Sequence, residues 1–271
     1  MEFFEEINRE YARSPFNYTG AKYKLLDQIV PHLKSSNAFI DLFCGGGSIF
    51  VNVNFPIIIA NDIIEPLMEF YKELQTKHWD YIRKEIEIRK INKDSQEEFL
   101  GLRERFNEKG NCYDFFMLVC SCTNNMMRFN RSFEFNQTWG KRTYNAETEK
   151  KLVNYWQRLY ENRRITLLNK PWDKVEIPDK SFVYMDPPYL ITEAGYNAYW
   201  SKHDEDMLYD FIDDLDRRSI KFAMSNVRVH NGNVNPYLDR LSKYKIINLK
   251  HDYDKVSRIG KKETTEILVV N

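Results

Sequence analysis

Residues 38–48 read Ala-Phe-Ile-Asp-Leu-Phe-Cys-Gly-Gly-Gly-Ser: an apolar strand running into three glycines, after which Ile49, Phe50 and Val51 turn the chain apolar again. Glycines at the C-terminal end of a strand let the backbone approach a ligand where a side chain would clash. In open α/β sheets ligands bind at that end, near a topological switch point. A second apolar run, residues 56–60, ends at Asn61-Asp62. An acid about 20 positions after a glycine turn suits the hydroxyls of a ribose. The spacing G-x-G-x-x-G is absent, so a dinucleotide and its pyrophosphate are not the first choice.

A second decisive stretch lies far along the chain. A strand-like run, residues 181–185, is followed by Asp186-Pro187-Pro188-Tyr189. Each proline lacks an N–H and fixes its own φ, so the carbonyls here escape a regular ladder and are free to face a pocket. A carboxylate, rigid carbonyls and an aromatic face within four residues suit the holding of an exocyclic amino group while a methyl group is delivered to it. The alternative reading of the tetrapeptide is a proline-rich turn after a strand, with an incidental acid. The glycine loop and Asp62 ahead of it favour the chemical reading.

With these parts in this order, the chain resembles the Dam-type, alpha-group DNA adenine-N6 methyltransferases, especially phage-encoded ones. The resemblance begins at Asn17-Tyr18-Thr19-Gly20-Ala21-Lys22 and continues through Phe43 to Gly47, matching F-x-G-x-G, and Asn61-Asp62. It goes on through residues 125–130, Phe135-Asn136, Gly140-Lys141-Arg142 and Asp186 to Tyr189. It implies S-adenosyl-L-methionine as donor, S-adenosyl-L-homocysteine as product, and adenine in double-stranded DNA as acceptor, with GATC as the target. The chain departs from the pattern at Asn124-Asn125, where many relatives have Asn-Gly, and at Thr138-Trp139, where they have Pro-Phe.

The resemblance also implies roles. Asp186, Pro187 and Tyr189 would be catalytic: Asp186 and the Pro187 carbonyl accept the two N6 protons, and Tyr189 stacks on the flipped base. Tyr18, Lys22, Asp41, Phe43, Gly45, Gly47, Asp62 and Asp186 would hold the donor. For Lys22 an ordinary surface lysine is the alternative, and Trp172 is either an adenine-pocket wall or core packing. On the DNA side, Asn124, Asn125 and Met126 would fill the gap left by the flipped base. Arg128 and Arg142 would read guanine edges bidentately or, alternatively, bind phosphate. Asn130 and Lys141 complete the DNA-binding set, and Ser257, Arg258, Lys261 and Lys262 form a late polar loop that covers the pocket or touches phosphate. The alternatives are a cytosine-N4 or RNA amino-methyltransferase and a catalytically inactive DNA-binding relative. Asp at the first tetrapeptide position leans toward adenine.

Composition bounds the rest. The chain has 271 residues, 42% hydrophobic, with 18 Phe and 17 Tyr, enough for a sizeable core. Lys+Arg and Asp+Glu are balanced at 40 each, and neutrality counts mildly against a DNA-binding protein. Local distribution matters more: residues 128–164 carry nine Lys and Arg against four Glu, a confined basic middle that fits phosphate contact. Cys44, Cys112, Cys120 and Cys122 form no C-x-x-C pair, so no metal site is expected. The first residues show no signal peptide and no run spans a bilayer, so a cytoplasmic monomer is expected, with a cognate restriction endonuclease left open as a partner.

The fold class expected is α/β: a Rossmann-like methyltransferase sheet flanked by helices, with a mostly helical target-recognition insert. Residues 1–64 and 164–271 form the catalytic part and 65–163 the insert. Helical patterns fall at 25–33 with Pro31 breaking the stripe, at 66–74, 81–91, 96–106, 113–120 and 147–158, and after an N-cap at Ser201. Strands are expected at 165–168, 181–185, 220–225, 245–249 and 266–270. Residues 123–145 show no clear period and are expected to be loops that leave room for a hairpin.

Overall fold

A computed structural model describes residues 11–17, 20–130, 132–192, 200–250 and 264–271. Tyr18, Arg131, Ser257, Arg258, Lys261 and Lys262 lie outside the described residues. The apolar stripe before the first strand breaks into short turns around α1 (Leu26–Ile29), with Pro31 in the last of them. Strands β1 (Ala38–Asp41) and β2 (Ile57–Asn61) follow. Next come α2 (Glu65–Thr76), α3 (Trp79–Glu87), α4 (Gln96–Lys109), α5 (Cys112–Ser121) and α6 (Ala146–Leu159). The second half runs β3 (Ile165–Leu168), β4 (Ser181–Met185), α7 (Lys202–Arg217), β5 (Lys221–His230), β6 (Asn233–Val234), α8 (Leu238–Leu241), β7 (Lys245–Asn248) and β8 (Thr264–Val270).

Local chemistry explains the ends. Ser95, Asn111 and Asn145 accept from N–H groups in the first turns of α4, α5 and α6, and Gly110 ends α4 at φ 69°. Ser201 and Asp204 form a full capping box at the start of α7.

The sheet order is β3-β2-β1-β4-β5-β8-β7. From β3 to β5 all pairings are parallel, while β8 runs antiparallel between β5 and β7. The chain leaves β1 toward β2 on one side and returns to β4 on the other. That reversal opens a crevice at the C-terminal ends of β1 and β4. Side chains alternate across the sheet, as the two-residue period requires. Phe39 and Phe182 pack with the helices between β2 and β3, whereas Ile40, Val183 and Met185 pack with α7. This is a Rossmann-like methyltransferase fold, a mostly parallel sheet flanked by helices. No helix among the described residues is long and apolar enough to cross a membrane.

Between β2 and β3, α2 and α6 lie within the same core as the sheet, and α5 packs against α2, α3 and α4. All ten residues of α5 are buried. Its Asp114 takes Arg105 through both oxygens, at 2.7 and 2.8 Å, and Arg89 Nε at 2.8 Å. Helices α4 and α5 and the turn that follows α3 are thereby joined at one buried carboxylate. After α5 a hairpin is marked by two antiparallel bridges, Cys122 with Trp139 and Phe129 with Phe135. Asn107 of α4 grips it like an added strand residue: Phe135 N–H donates to Asn107 Oδ1 at 2.8 Å, and Asn107 Nδ2 donates to the Phe135 carbonyl at 3.2 Å.

Candidate active site

The glycine loop starts where β1 ends. Gly45 sits at φ 45° and Gly47 at φ 70°, backbone that glycine adopts without penalty. Asp62, at the end of β2, clamps the loop: Gly45 N–H donates to Oδ2 at 2.8 Å and Ile64 N–H to Oδ1 at 3.0 Å. Burial raises the Asp62 carboxyl pKa, and the N–H groups of Ile64 and Gly45 oppose that rise. From below, the Tyr71 hydroxyl donates to the Gly45 carbonyl at 2.9 Å and the Tyr155 hydroxyl to the Gly47 carbonyl at 3.2 Å. A Cβ on Gly47 would stand 1.9 Å from the Tyr155 oxygen. Gly47 is therefore set by packing against α2 and α6, and it is not part of the cavity wall.

The tetrapeptide leaves β4 beside that loop. Lys22, 3% exposed, places Nζ 2.9 Å from Asp186 Oδ2 and donates to the Gly20 carbonyl at 2.8 Å. The surface-lysine alternative does not hold. The Tyr189 hydroxyl donates to Asp186 Oδ1 at 2.6 Å, and Lys22 Nζ lies 5.3 Å from the centre of the Tyr189 ring. Burial raises the Asp186 carboxyl pKa, with Lys22 and the Tyr189 hydrogen bond pulling it down. Asp41 is fully buried: Phe50 N–H donates to Oδ2 at 3.2 Å, and Oδ1 has no partner. Its pKa is raised well above the ordinary range, by burial first and then by Asp186.

A wall of three rings stands opposite, with Phe43 6.0 Å from Trp172 and 5.8 Å from Trp200. Trp200 Nε1 donates to Glu205 Oε2 at 2.5 Å, and burial raises the Glu205 carboxyl to about 7.

One cavity of about 1580 Å³ joins these groups. Lys22, Asp41, Phe43, Gly45, Asp62, Asp186, Pro187 and Tyr189 line it, together with Met126 and Arg128 from the hairpin. Asn124, Asn125, Asn130, Lys141 and Arg142 do not. Asn125 is withdrawn into the fold: its Nδ2 donates to the Val119 and Cys120 carbonyls, both at 2.9 Å, closing the end of α5. Its Oδ1 accepts from Arg142 Nη1 at 2.9 Å, so that side chain is not on offer to fill a gap in DNA. Asn130 likewise ties the hairpin turn, accepting from Ser132 and Glu134 N–H groups at 2.9 and 3.0 Å. Arg128 is exposed and forms no ion pair or side-chain hydrogen bond among the described residues. Lys141 is exposed, 5.5 Å from the Trp139 ring.

The sequence pattern missed Tyr71, Tyr155 and Glu205. Their spacing marked only the buried faces of helices, and nothing local says which backbone or ring a buried polar tip will meet.

The chain belongs to the D12 class of N6 adenine-specific DNA methyltransferases, whose family model matches residues 18–266. It is similar to the Type II methyltransferase M.FokI of Planomicrobium okeanokoites, at 33% identity over 100% of this chain and 44% of that protein. It is also similar to the modification methylase StsI of Streptococcus sanguinis, at 32% identity over 97% of this chain and 43% of that protein. A DNA adenine methylase of Salmonella typhi is 31% identical over 69% of each chain. The chain thus spans under half the length of the two modification methylases.

Proposed function

We propose that this chain methylates N6 of an adenine flipped out of double-stranded DNA, with S-adenosyl-L-methionine as donor. The observation that carries the reading is the junction of Asp186-Pro187-Pro188-Tyr189 with the glycine loop across the β1–β4 crevice, inside one cavity that Arg128 also borders. The residues present fit the donor. The bare glycine loop admits close approach, Asp62 keeps acceptor capacity toward hydroxyls, and Asp41 holds an unpartnered buried oxygen. When bound, the donor supplies a methyl group on a sulfonium.

The nitrogen lone pair of adenine N6 is delocalised into the ring. Asp186 and the Pro187 carbonyl accept the two N6 protons and favour a more tetrahedral nitrogen, and fixed geometry supplies much of the acceleration. Lys22 opposes the effect of burial on Asp186, and the same burial makes Asp186 a better acceptor for the proton that leaves after transfer. Stacking of Tyr189 on the base requires its ring, 7% exposed, to be uncovered as the base arrives.

We assign residues 1–64 and 164–271 to catalysis and 65–163 to target recognition, with α2 and α6 supporting the sheet and the hairpin after α5 meeting DNA. The Dam-type resemblance makes GATC the first site to test. The modification methylases among the relatives support a search for a paired endonuclease. Incubating the protein with labelled donor and duplex DNA, then sequencing the modified bases, reports base and context together. N6-methyladenine at a fixed site, lost in Asp186→Ala with donor binding kept, is expected. N4-methylcytosine, or turnover surviving the alanine, overturns the reading.

A further inference from the structure

We infer that Phe133 is an apolar wedge that enters the base stack as the target adenine leaves it, an inference that rests on the function proposed above. Phe133 sits at the tip of the hairpin after α5 and is 69% exposed, the most exposed large hydrophobic side chain described. Its φ is 60°. A bulky side chain is a costly occupant of left-handed backbone, where Gly, Asn or Asp would relieve the turn. The tip is nevertheless held firmly. Asn130 Oδ1 accepts from Ser132 and Glu134, Asn130 Nδ2 donates to Glu134 at 2.7 Å, and Asn107 clamps Phe135 from α4. The neighbouring rings turn inward, with Phe135 1% exposed and Phe129 stacked on Phe115 at 5.9 Å. Phe133 alone of the three is presented outward, and it lines the cavity that holds Asp186 and Arg128.

A two-stranded ribbon fits the major groove, and apolar side chains inserted between base steps unstack them. Extrusion of a base leaves a hole that an inserted ring fills. Asn125 is consumed by the end of α5, so the exposed ring of Phe133 is the better-placed filler. Because Asn130, Ser132, Glu134 and Phe135 are already tied by these hydrogen bonds, insertion demands little further loss of freedom at them.

Phe133→Gly removes the ring and suits the backbone, so the turn is kept. Two duplexes carry the site found by methylation sequencing, one with the target adenine paired and one with it mispaired. On the paired duplex the variant is expected to lose roughly 10- to 100-fold in single-turnover methylation rate. The fluorescence rise of 2-aminopurine at the target position is expected to fall with it. On the mispaired duplex, where extrusion needs little help, the variant should approach the wild-type rate. Donor affinity should not change. An equal loss on both duplexes, or no loss on either, overturns the wedge. If the wild-type protein transfers no methyl group to adenine in either duplex, the proposed function fails and the wedge with it.

Discussion

Replacing Lys22 by Met probes the pair on which the proposed chemistry turns. The ammonium lies 2.9 Å from Asp186 Oδ2, with side chains 4% and 21% exposed. Unit charges about 4 Å apart attract by about 4 kcal/mol at the effective dielectric that reproduces measured pairs. Water at the partly open carboxylate trims this to about 2–3 kcal/mol. Burial already raises the Asp186 carboxyl, and Met would leave that effect without its main opponent. A carboxyl whose pKa rises takes up a proton at higher pH. Activity that needs ionised Asp186 is therefore lost over the window just above the wild-type pKa and recovered toward alkaline pH. Single-turnover rates at saturating donor, measured across pH, should show the acidic limb displaced to higher pH in Lys22→Met. Lys22→Arg, which keeps the charge, should hold the limb near its wild-type position. A folded Lys22→Met protein with an unmoved acidic limb would refute the electrostatic role.

Asp62→Ala should weaken donor binding by roughly 10- to 100-fold, since the Gly45 hydrogen bond that sets the loop and the acceptor for the ribose hydroxyls both vanish, while DNA binding assayed alone persists; calorimetric titration giving an unchanged donor affinity would end the ribose assignment. Gly47→Ala should destabilise by about 2–4 kcal/mol in urea titration, from left-handed strain plus the clash with Tyr155, and adding Tyr155→Phe should recover part of the loss. Arg128→Ala should cost about 1–3 kcal/mol of discrimination at one base pair on a panel of singly substituted duplexes. Arg142→Ala, which also strips a partner from Asn125, should instead weaken every duplex alike, so a single-position effect there would reverse the two roles. Glu205 is raised from 4.5 to about 7 in the folded chain. The unfolded chain releases this proton first, so stability falls as pH climbs from about 4.5 to 7 and then levels off. Glu205→Gln should remove that slope and stabilise the protein above pH 7 by about 2–3 kcal/mol, and a thermal unfolding series in which variant and wild type keep the same pH slope would exclude it.

Much of the fold was legible because its signals are local. The runs at 165–168 and 181–185 carry the same bounds as β3 and β4, and Ser201 with Asp204 announces α7 by chemistry that acts within one turn. Strand order is another matter. Nothing inside residues 264–270 says that β8 will reverse and wedge between β5 and β7, because that choice depends on edges formed elsewhere. The site divides the same way. Asp186 and the glycine loop were visible as motifs, whereas Asn125 read as a filler of the gap in DNA, and the end of α5 gives its amide two carbonyls instead. Lys22 could not be told from a surface lysine because its partner lies 164 residues away, across the sheet.

The buried meeting of Arg89 and Arg105 on Asp114 bears on how the protein behaves as ionic strength changes. Ions in solution screen exposed charges, most completely beyond a Debye length of about 8 Å at physiological salt, and they displace proteins from nucleic acid steeply. The Asp114 side chain is 3% exposed and Arg89 17%, whereas Arg105 is 45% exposed, so the ions that strip a phosphate backbone screen the Arg105 arm but reach the Arg89–Asp114 pair poorly. Under the proposed function, concentrated salt releases DNA while the shielded Arg89–Asp114 pair continues to brace α5 against the turn after α3.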